Sequence, residues 1–237
     1  MLSQGKNAMH LTPWPDPLPA GIEVYRLDFD LSVESAAARQ LLTPDERAKA
    51  DRFSRSADRV RFTQARAALR TLLAGRVGCE PAQVPLASSP HGKPHLEPAV
   101  GAEPQFNLSH SGSHALIALG DPRRVGGIGI DIEECRDGVD IDGISSLAFT
   151  AHERAEVRGA ADPLHALYAR WTGKEAVLKA IGVGVAGHLK SIGVQPRADG
   201  RLTLECDVPG WKNFQAMALN APTGYAAALA WCSKEPT

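Results

Sequence analysis

Three carboxylates in the second half of the chain have the type and spacing to hold a divalent cation. Asp131 and Glu133 alternate with isoleucines in the segment GGIGIDIEE, which predicts a β-strand that carries both acids on one face. Glu175 lies in the segment RWTGKEAVLKAIG, on a predicted helix where Lys179 follows one turn later. Carboxylates without histidine form a hard oxygen site, which favours Mg²⁺ with Mn²⁺ as a substitute. A solvated acidic strand face and a surface Glu–Lys pair are the alternative interpretation.

The neighbours of these carboxylates indicate which way they face. Gly127 and Gly129 share the acidic face of the strand, and we expect them to leave room for a ligand to approach. Trp171 lies on the same helical stripe as Glu175, which favours a stripe turned toward protein rather than water. Lys174 lies beside that stripe, so the helix is predicted to serve a metal and a polyphosphate.

The segment FNLSHSGSH supplies a second group of polar candidates. His110 and His114 have a metal-ligand spacing only on a helix, and the Ser-Gly-Ser between them indicates a strand and a turn. Zinc is therefore not expected. Ser109 and His110 can donate hydrogen bonds to a phosphate, although a hairpin with a polar tip explains the same residues.

An arginine-rich stretch from Arg52 to Gly78 contains seven arginines against one acid, Asp58. This local charge suggests an anionic ligand, and a solvated helix face is the alternative. Aromatic residues do not alternate with the arginines in the manner of a nucleic-acid platform.

The chain carries a weak internal duplication. The pattern T-x-x-E-R-A occurs at Thr43 and again at Thr150, an offset of 107 residues, and both copies read as helix-capping boxes. Around each copy the order is the same: a strand, helices that include one long helix, then several strands. The long helices are predicted from about Ala57 to Val77 and from about Pro163 to Ile181.

This duplication predicts the fold class and the organisation of the chain. We expect an α+β fold, a pseudo-twofold duplication in which each half is an antiparallel sheet packed with helices. Residues 1–20 form a Pro-rich lead-in, 21–122 the N-terminal half and 123–237 the C-terminal half. A cleft is expected between the halves.

Composition restricts the class of protein further. The chain has 237 residues, 43% hydrophobic residues and a net charge of −1, so nothing in its overall balance indicates nucleic acid or a membrane surface. We predict no transmembrane segment and no signal peptide. Four scattered cysteines without a C-x-x-C pair predict free thiols and a cytoplasmic protein.

Taken together, the motifs resemble the surfactin-type 4'-phosphopantetheinyl transferases of the holo-acyl-carrier-protein synthase superfamily. The matching segments cover roughly residues 44–179 and occur in the family's order: GKP (92–94), FNLSHS (106–111), GIDIE (129–133), FTAHE (149–153) and WTGKEAVLK (171–179). Two departures stand out. Glu46 replaces a frequent lysine, and Gly173 lies inside a helix, where glycine costs roughly 1 kcal/mol against alanine.

The resemblance implies an enzyme that moves 4'-phosphopantetheine from coenzyme A to a serine of an apo carrier protein. It implies Mg²⁺ held by Asp131, Glu133 and Glu175, and a monomer. The implied coenzyme A contacts are Lys49, Arg61, Lys93, Ser109, His110, Lys174 and Lys179. The carrier could be acyl, polyketide or peptidyl, and the pathway stays open.

The resemblance also implies a mechanism. Glu175 is the expected base, directly or through a water, with Glu153 as a rival whose capping-box position explains it without catalysis. Lys179 and Lys174 would neutralise charge on the phosphates. A catalytically silent coenzyme A or carrier-protein binding module and a magnesium phosphohydrolase are the competing functions.

Overall fold

The computed structural model describes residues 9–89, 93–97, 104–185 and 187–234. Strands and helices of the first half follow the predicted order. They are β1 (Leu11–Pro13), β2 (Ile22–Asp28), α1 (Ala36–Gln40), α2 (Pro44–Asp51), α3 (Ser56–Val77), β3 (Leu86–Ser88), β4 (Pro94–Leu96), β5 (Gln105–Ser111) and β6 (His114–Gly120). One antiparallel sheet has the strand order β1-β2-β6-β5, and β3 pairs with β4 separately.

The second half repeats this order and builds a larger sheet. Its elements are β7 (Val125–Glu134), α4 (Ile141–Ala148), α5 (Ala151–Gly159), α6 (Pro163–Ile181), β8 (Gly193–Pro196), β9 (Arg201–Glu205), β10 (Phe214–Leu219) and β11 (Tyr225–Ser233). The antiparallel strand order is β7-β11-β10-β9-β8. The trio β7-β11-β10 repeats β2-β6-β5, and β8-β9 repeats β3-β4, so the α+β duplication is confirmed in its topology.

The capping chemistry of the sequence is present in both halves. Thr43 and Thr150 each accept a hydrogen bond from the backbone N–H three residues later, and Glu46 and Glu153 reach back to the threonine N–H. The long helices α3 and α6 end at Gly78 and Gly182, both in the left-handed conformation.

A buried ion pair links the capping box to the long helix in each half. Arg70 of α3 binds Glu46 through two nitrogens, at 2.7 and 3.0 Å, and donates to the carbonyl of Val84 at 3.0 Å. Lys174 of α6 binds Glu153 at 2.8 Å and donates to the carbonyl of Ile192. Glu46 is thereby explained as a structural partner of Arg70.

The lead-in is part of the folded protein from residue 9 onward, while residues 1–8 lie outside the described ranges. Leu11–Pro13 pairs with β2. Trp14 is 8% exposed and packs in a core that takes Leu116 from the first half and Ile128 and Ile130 from the second. One apolar core therefore joins the two halves.

The two sheets meet where β5 lies alongside β7. Within the described residues, side chains rather than paired backbones link these strands. Asn107 Oδ1 accepts from the backbone N–H of Ile130 at 2.8 Å, and serines further along β5 contact the carboxylates of β7. The predicted meeting of the halves therefore falls on the strand that carries Asp131 and Glu133.

The glycine face of β7 receives a helix rather than a ligand, so that part of the sequence interpretation was wrong. A Cβ on Gly129 would lie 2.0 Å from the carbonyl oxygen of Ala176, and one on Gly127 would lie 2.9 Å from that of Ala180. Both carbonyls belong to α6. The bare positions let α6 approach the strand closely, which brings Glu175 and Lys179 to Asp131.

We predict that Gly129→Ala destabilises the protein by about 3 kcal/mol, because an added methyl overpacks against a helix backbone that cannot move aside cheaply. Urea unfolding followed by far-UV circular dichroism measures this. Gly75→Ala is the matched control, since its Cβ would meet nothing within 4 Å and alanine favours the helix. Equal stability of the two variants would contradict the close packing of α6 on β7.

Gly173 also marks a close approach. Its Cβ would lie 2.8 Å from Val194 Cγ1 and 2.9 Å from Leu202 Cδ1. Glycine inside α6 therefore lets the helix pack on β8 and β9, which offsets its low helix propensity.

The cysteines and the hydropathy of the helices were the subject of two further predictions. The four cysteines are free. None of the helices in the described part of the chain is long and apolar enough to cross a membrane.

Candidate metal and phosphate site

The structure brings together the three carboxylates that the sequence singled out. Ligand oxygens of Asp131, Glu133 and Glu175 all lie within 4.8 Å of one another. Asp131 is fully buried, and the other two are half-buried. β7 presents Asp131 and Glu133, and α6, packed on the glycines of β7, presents Glu175.

Lys179 lies one helical turn beyond Glu175 and neutralises part of this cluster. Its Nζ is 2.5 Å from Asp131 Oδ1 and 3.2 Å from Glu175 Oε2, and it donates to Ser109 Oγ at 3.2 Å. Burial alone would lower the pKa of Lys179, but Asp131 and Glu175 outweigh it and raise that pKa. Lys179 is therefore a charged ammonium in the site.

Three carboxylates share a small, poorly solvated space. Desolvation, followed by the charge of Asp131, raises the pKa of Glu175 to about 7. The same two causes raise the pKa of Glu133. One lysine cannot balance three carboxylates, so the cluster favours binding of a further cation or protonation of one of its members.

The residues present fit a divalent cation. Asp131 Oδ2 is buried and lacks a hydrogen-bond partner among the described residues, which leaves an unused oxygen beside the other two carboxylates. An all-oxygen donor set without nitrogen or sulfur is typical of a hard metal such as Mg²⁺.

Strand β5 of the first half contributes hydroxyls to the same cluster. Ser109 Oγ donates to Asp131 Oδ1 at 2.7 Å, and Ser111 Oγ donates to Glu133 Oε2 at 2.8 Å. The sequence motif contains both serines, but only Ser109 was predicted as a site residue, although their period-2 spacing on a strand places both on one face.

Two neighbouring cavities share part of their walls, and one of them reaches the carboxylates. One of about 330 Å³ is lined by Asp131, Glu133, Lys179, Ser109, His110, Pro94, Leu108, Ala65, Phe62, Lys49 and Arg66. A second, of about 460 Å³, shares Lys49, Phe62 and Arg66 and extends along α2 to Arg52. The second cavity is lined by Lys49, Arg52, Arg66 and Arg70 together with the acids Asp45, Glu46 and Glu97, so it offers cations to an anionic ligand on a surface of mixed charge.

Lys49 and His110 lie in the first cavity, as their predicted roles require. Lys49 Nζ lies 5.3 Å from the centroid of the Phe62 ring, in a cation–π contact. Much of the surface of His110 is accessible to solvent, but protein atoms surround its ring closely enough to desolvate it. Desolvation, with smaller contributions from Arg61 and Lys179, lowers the pKa of His110, so it is a neutral hydrogen-bonding group near pH 7.

Arg61 and Lys93 make structural contacts that the sequence did not reveal. Arg61 donates to the carbonyl of Gly112 at 2.6 Å and pairs with Asp58 at 2.8 Å. Lys93 donates to the carbonyls of Ile128 and Lys179, at 3.3 and 2.5 Å, and so ties the first half to β7 and α6. Desolvation and Lys179 lower the pKa of Lys93 to about 8. Of the other two residues of its motif, Pro94 begins β4 and Gly92 lies outside the described ranges.

The predictions for Lys174 and Glu153 need correction. Lys174 is 0% exposed, and its ammonium group contacts the carbonyls of Leu189 and Ile192 together with Glu153. Glu153 is 1% exposed and accepts from the backbone N–H groups of Thr150 and Val194. Both side chains are buried and hydrogen-bonded inside the second half, so neither is placed to contact a phosphate or a carrier serine.

The arginine-rich stretch mostly has structural partners rather than a free positive face. Ion pairs join Arg59 to Glu34, Arg61 to Asp58, Arg66 and Arg70 to Glu46, and Arg76 to Glu23. Arg66 is the member that also lines both cavities, and sequence reasoning did not separate it from its neighbours.

We predict that Glu175→Gln stabilises the metal-free protein at pH 8 by up to about 3 kcal/mol, the energy of a pKa shift from 4.5 to about 7. Because the folded-state pKa is raised, the cost of the charged carboxylate is complete above pH 7 and absent below pH 4.5. The gain should therefore shrink toward zero at pH 4.5. Urea unfolding in EDTA at both pH values measures it.

Glu134→Gln is the control for that prediction. Arg136, through its hydrogen bond, holds the pKa of Glu134 below its usual value, so its neutralisation should not stabilise the protein. If Glu175→Gln lowered the free energy of unfolding at pH 8, the three carboxylates would not repel one another as their geometry indicates.

Comparison with known proteins finds matches over both halves of the chain. Residues 127–230 match the family model of the 4'-phosphopantetheinyl transferase superfamily, and residues 31–121 match the model of the 4'-phosphopantetheinyl transferase N-terminal region. The 4'-phosphopantetheinyl transferase of Bacillus subtilis is 30% identical over 189 residues, which cover 78% of this chain and 81% of that protein. The chain therefore belongs to the 4'-phosphopantetheinyl transferase superfamily.

Other relatives cover the chain to different extents. The slr0495 protein of Synechocystis sp. is 32% identical over 203 residues, 82% of this chain and 81% of its own length. The 4'-phosphopantetheinyl transferase HetI of Nostoc sp. is 38% identical over 148 residues, 61% of each chain. A holo-(acyl-carrier-protein) synthase of Bacillus anthracis, solved in complex with CoA (3',5'-ADP), aligns with 47% of this chain and 99% of its own at a TM-score of 0.40 and 23% identity.

Proposed function

We propose that this protein transfers 4'-phosphopantetheine from coenzyme A to a serine of an apo carrier protein and releases adenosine 3',5'-bisphosphate. The observation that carries this proposal is the cluster of Asp131, Glu133, Glu175 and Lys179 beside a basic cavity, at the place where the two halves meet. Membership of the superfamily supports the same activity.

The proposed organisation is that of the surfactin-type enzymes, with both halves in one chain. Residues 21–122 would supply the basic cavity and the serines of β5, and residues 123–237 would supply the carboxylates and Lys179. Since one chain holds both parts of the site, we propose that it acts as a monomer. Light scattering after size exclusion should then give a mass near 25.2 kDa.

Coenzyme A would lie with its pyrophosphate at the carboxylate end of the first cavity. There Lys179 offers the charged ammonium and His110 offers a hydrogen-bond donor, while Ser109 lines the same end with its hydroxyl donated to Asp131. Lys49 and Arg66 line the continuation of the cavity, where a further phosphate and a nucleoside would fit. Arg61 lies close enough to His110 to act on its charge, and Lys93 holds α6 through the carbonyl of Lys179.

Asp131, Glu133 and Glu175 would hold Mg²⁺, with Mn²⁺ able to replace it. When bound, the cation would supply positive charge that offsets the negative charge of the pyrophosphate. The carboxylate cluster itself supplies the excess negative charge and the unused oxygen of Asp131 that such a cation needs.

The carrier serine would attack the β-phosphorus of coenzyme A. A new phosphorus–oxygen bond to the serine forms as the bond to adenosine 3',5'-bisphosphate breaks, and the serine proton passes to a base. Glu175 is the proposed base, directly or through a water, because it is a half-buried carboxylate beside Asp131 and Glu133. Lys179 would stabilise charge on the leaving diphosphate.

One assay tests the proposal. The protein is incubated with an apo carrier protein, coenzyme A and Mg²⁺, and the carrier is weighed by mass spectrometry. A gain of about 340 Da, the mass of the arm, supports transfer. If the protein binds coenzyme A but acyl, polyketide and peptidyl carriers gain no mass, it is a silent binding module. Release of free phosphate would indicate a phosphohydrolase.

A further inference from the structure

The hydroxyl of Ser111 occupies an unusual place between the two sheets. It donates to Glu133 Oε2 at 2.8 Å and accepts from the backbone N–H of Glu134 at 3.1 Å. The serine belongs to β5 of the first half, and both of its partners belong to β7 of the second half. Its hydroxyl is therefore fixed from both sides.

Among the cluster residues that the structure describes, Glu133 has fewer side-chain partners than Asp131 has. In the described part of the chain, Ser111 supplies the side-chain hydrogen bond that Glu133 accepts, whereas Asp131 has both Ser109 and Lys179. Glu133 is also repelled by the charge of Asp131 two residues earlier. Without the hydroxyl, repulsion would favour rotamers that turn the Glu133 carboxylate away from the cluster.

We propose that Ser111 is a positioning residue that holds Glu133 in the orientation needed to bind the divalent cation. The inference rests on the proposed function for its link to catalysis, while its geometric part concerns only the carboxylate cluster. Hydrogen bonds from outside a metal's ligands commonly change metal affinity by roughly 10- to 100-fold when they are removed.

The test measures Mn²⁺ binding to the full-length protein by electron paramagnetic resonance, without coenzyme A or carrier. Ser111→Ala should weaken Mn²⁺ binding roughly 10- to 100-fold. Ser111→Thr keeps the hydroxyl and should restore most of the affinity. Ser113→Ala is the matched control on the same hairpin, because the Ser113 hydroxyl contacts Tyr225 rather than a cluster carboxylate.

Transfer assays at saturating coenzyme A and several Mg²⁺ concentrations give the second measurement. Ser111→Ala should need more Mg²⁺ for half-maximal rate and approach the unmodified enzyme's kcat at high Mg²⁺, with little change in the KM for coenzyme A. Far-UV circular dichroism checks that each variant is folded.

Unchanged Mn²⁺ affinity in folded Ser111→Ala would overturn the inference, as would an equal loss in Ser113→Ala or a failure of Ser111→Thr to recover binding. Mn²⁺ binding does not require transfer. A protein that binds Mn²⁺ in a Ser111-dependent way but modifies no carrier would refute the proposed function and leave the positioning of Glu133 standing.

Discussion

Asp131→Asn is expected to reduce phosphopantetheine transfer by about 10³-fold, the largest effect on activity of any single change considered. Asparagine has the same shape, so Ser109 can still donate to its side-chain oxygen. The loss comes from charge. The amide is a weaker ligand for a divalent cation, and it removes the anionic partner of Lys179 at the centre of the site.

The measurement is carrier modification by mass spectrometry, together with Mg²⁺ binding by calorimetry and urea unfolding. Asp131→Asn should stay folded, because the hydrogen bond to Ser109 and the packing of β7 are kept. Glu134→Gln is the control from the same strand, since its carboxylate pairs with Arg136 away from the cluster. Full activity of Asp131→Asn would refute the assignment of Asp131 to the metal.

Lys174→Met should destabilise the protein by about 3–5 kcal/mol, the largest effect on stability, because it leaves Glu153 charged and buried without its partner. Glu153 and Lys174 are 1% and 0% exposed, so water cannot replace the missing ammonium. The carbonyls of Leu189 and Ile192 lose their donor as well. Urea unfolding measures the loss, with the exposed Lys190→Met as control.

A second variant separates the ion pair from general damage to the core. Adding Glu153→Gln to Lys174→Met removes the stranded charge and keeps an acceptor for the backbone N–H of Val194, so part of the stability should return. At low temperature the folded fraction of Lys174→Met should still bind coenzyme A. Lost coenzyme A binding with unchanged stability would instead support the direct phosphate contact that the sequence suggested.

Local patterns in the sequence were sufficient for both long helices and most of the strands, and they singled out the three carboxylates that cluster in the structure. The alternation of Ile128, Ile130 and Ile132 with acids requires a strand with one apolar face, and all three are buried. The two capping boxes and the terminal glycines define where helices begin and end. Such signals act over one to four residues, so they can be interpreted without knowing what lies across the fold.

Functional roles within the motif WTGKE could not be assigned in this way. Lys174 and Glu175 are adjacent in sequence, and each is a charged residue that could form an ion pair or bind a ligand. The helix turns by about 100° per residue, so neighbours on it face different surroundings. Glu175 faces the carboxylates of β7, whereas Lys174 faces the buried carboxylate of Glu153.

The amino-acid sequence by itself therefore determined the duplicated α+β order and the three carboxylates of the candidate metal site. Only the tertiary structure decided that the glycines of β7 accommodate α6, that Glu153 and Lys174 form a buried pair, and that Ser111 holds Glu133. The physical reason is that each of these contacts joins residues about 20 to 50 positions apart. Their meeting depends on helix rotation and sheet register, which packing of the whole core selects.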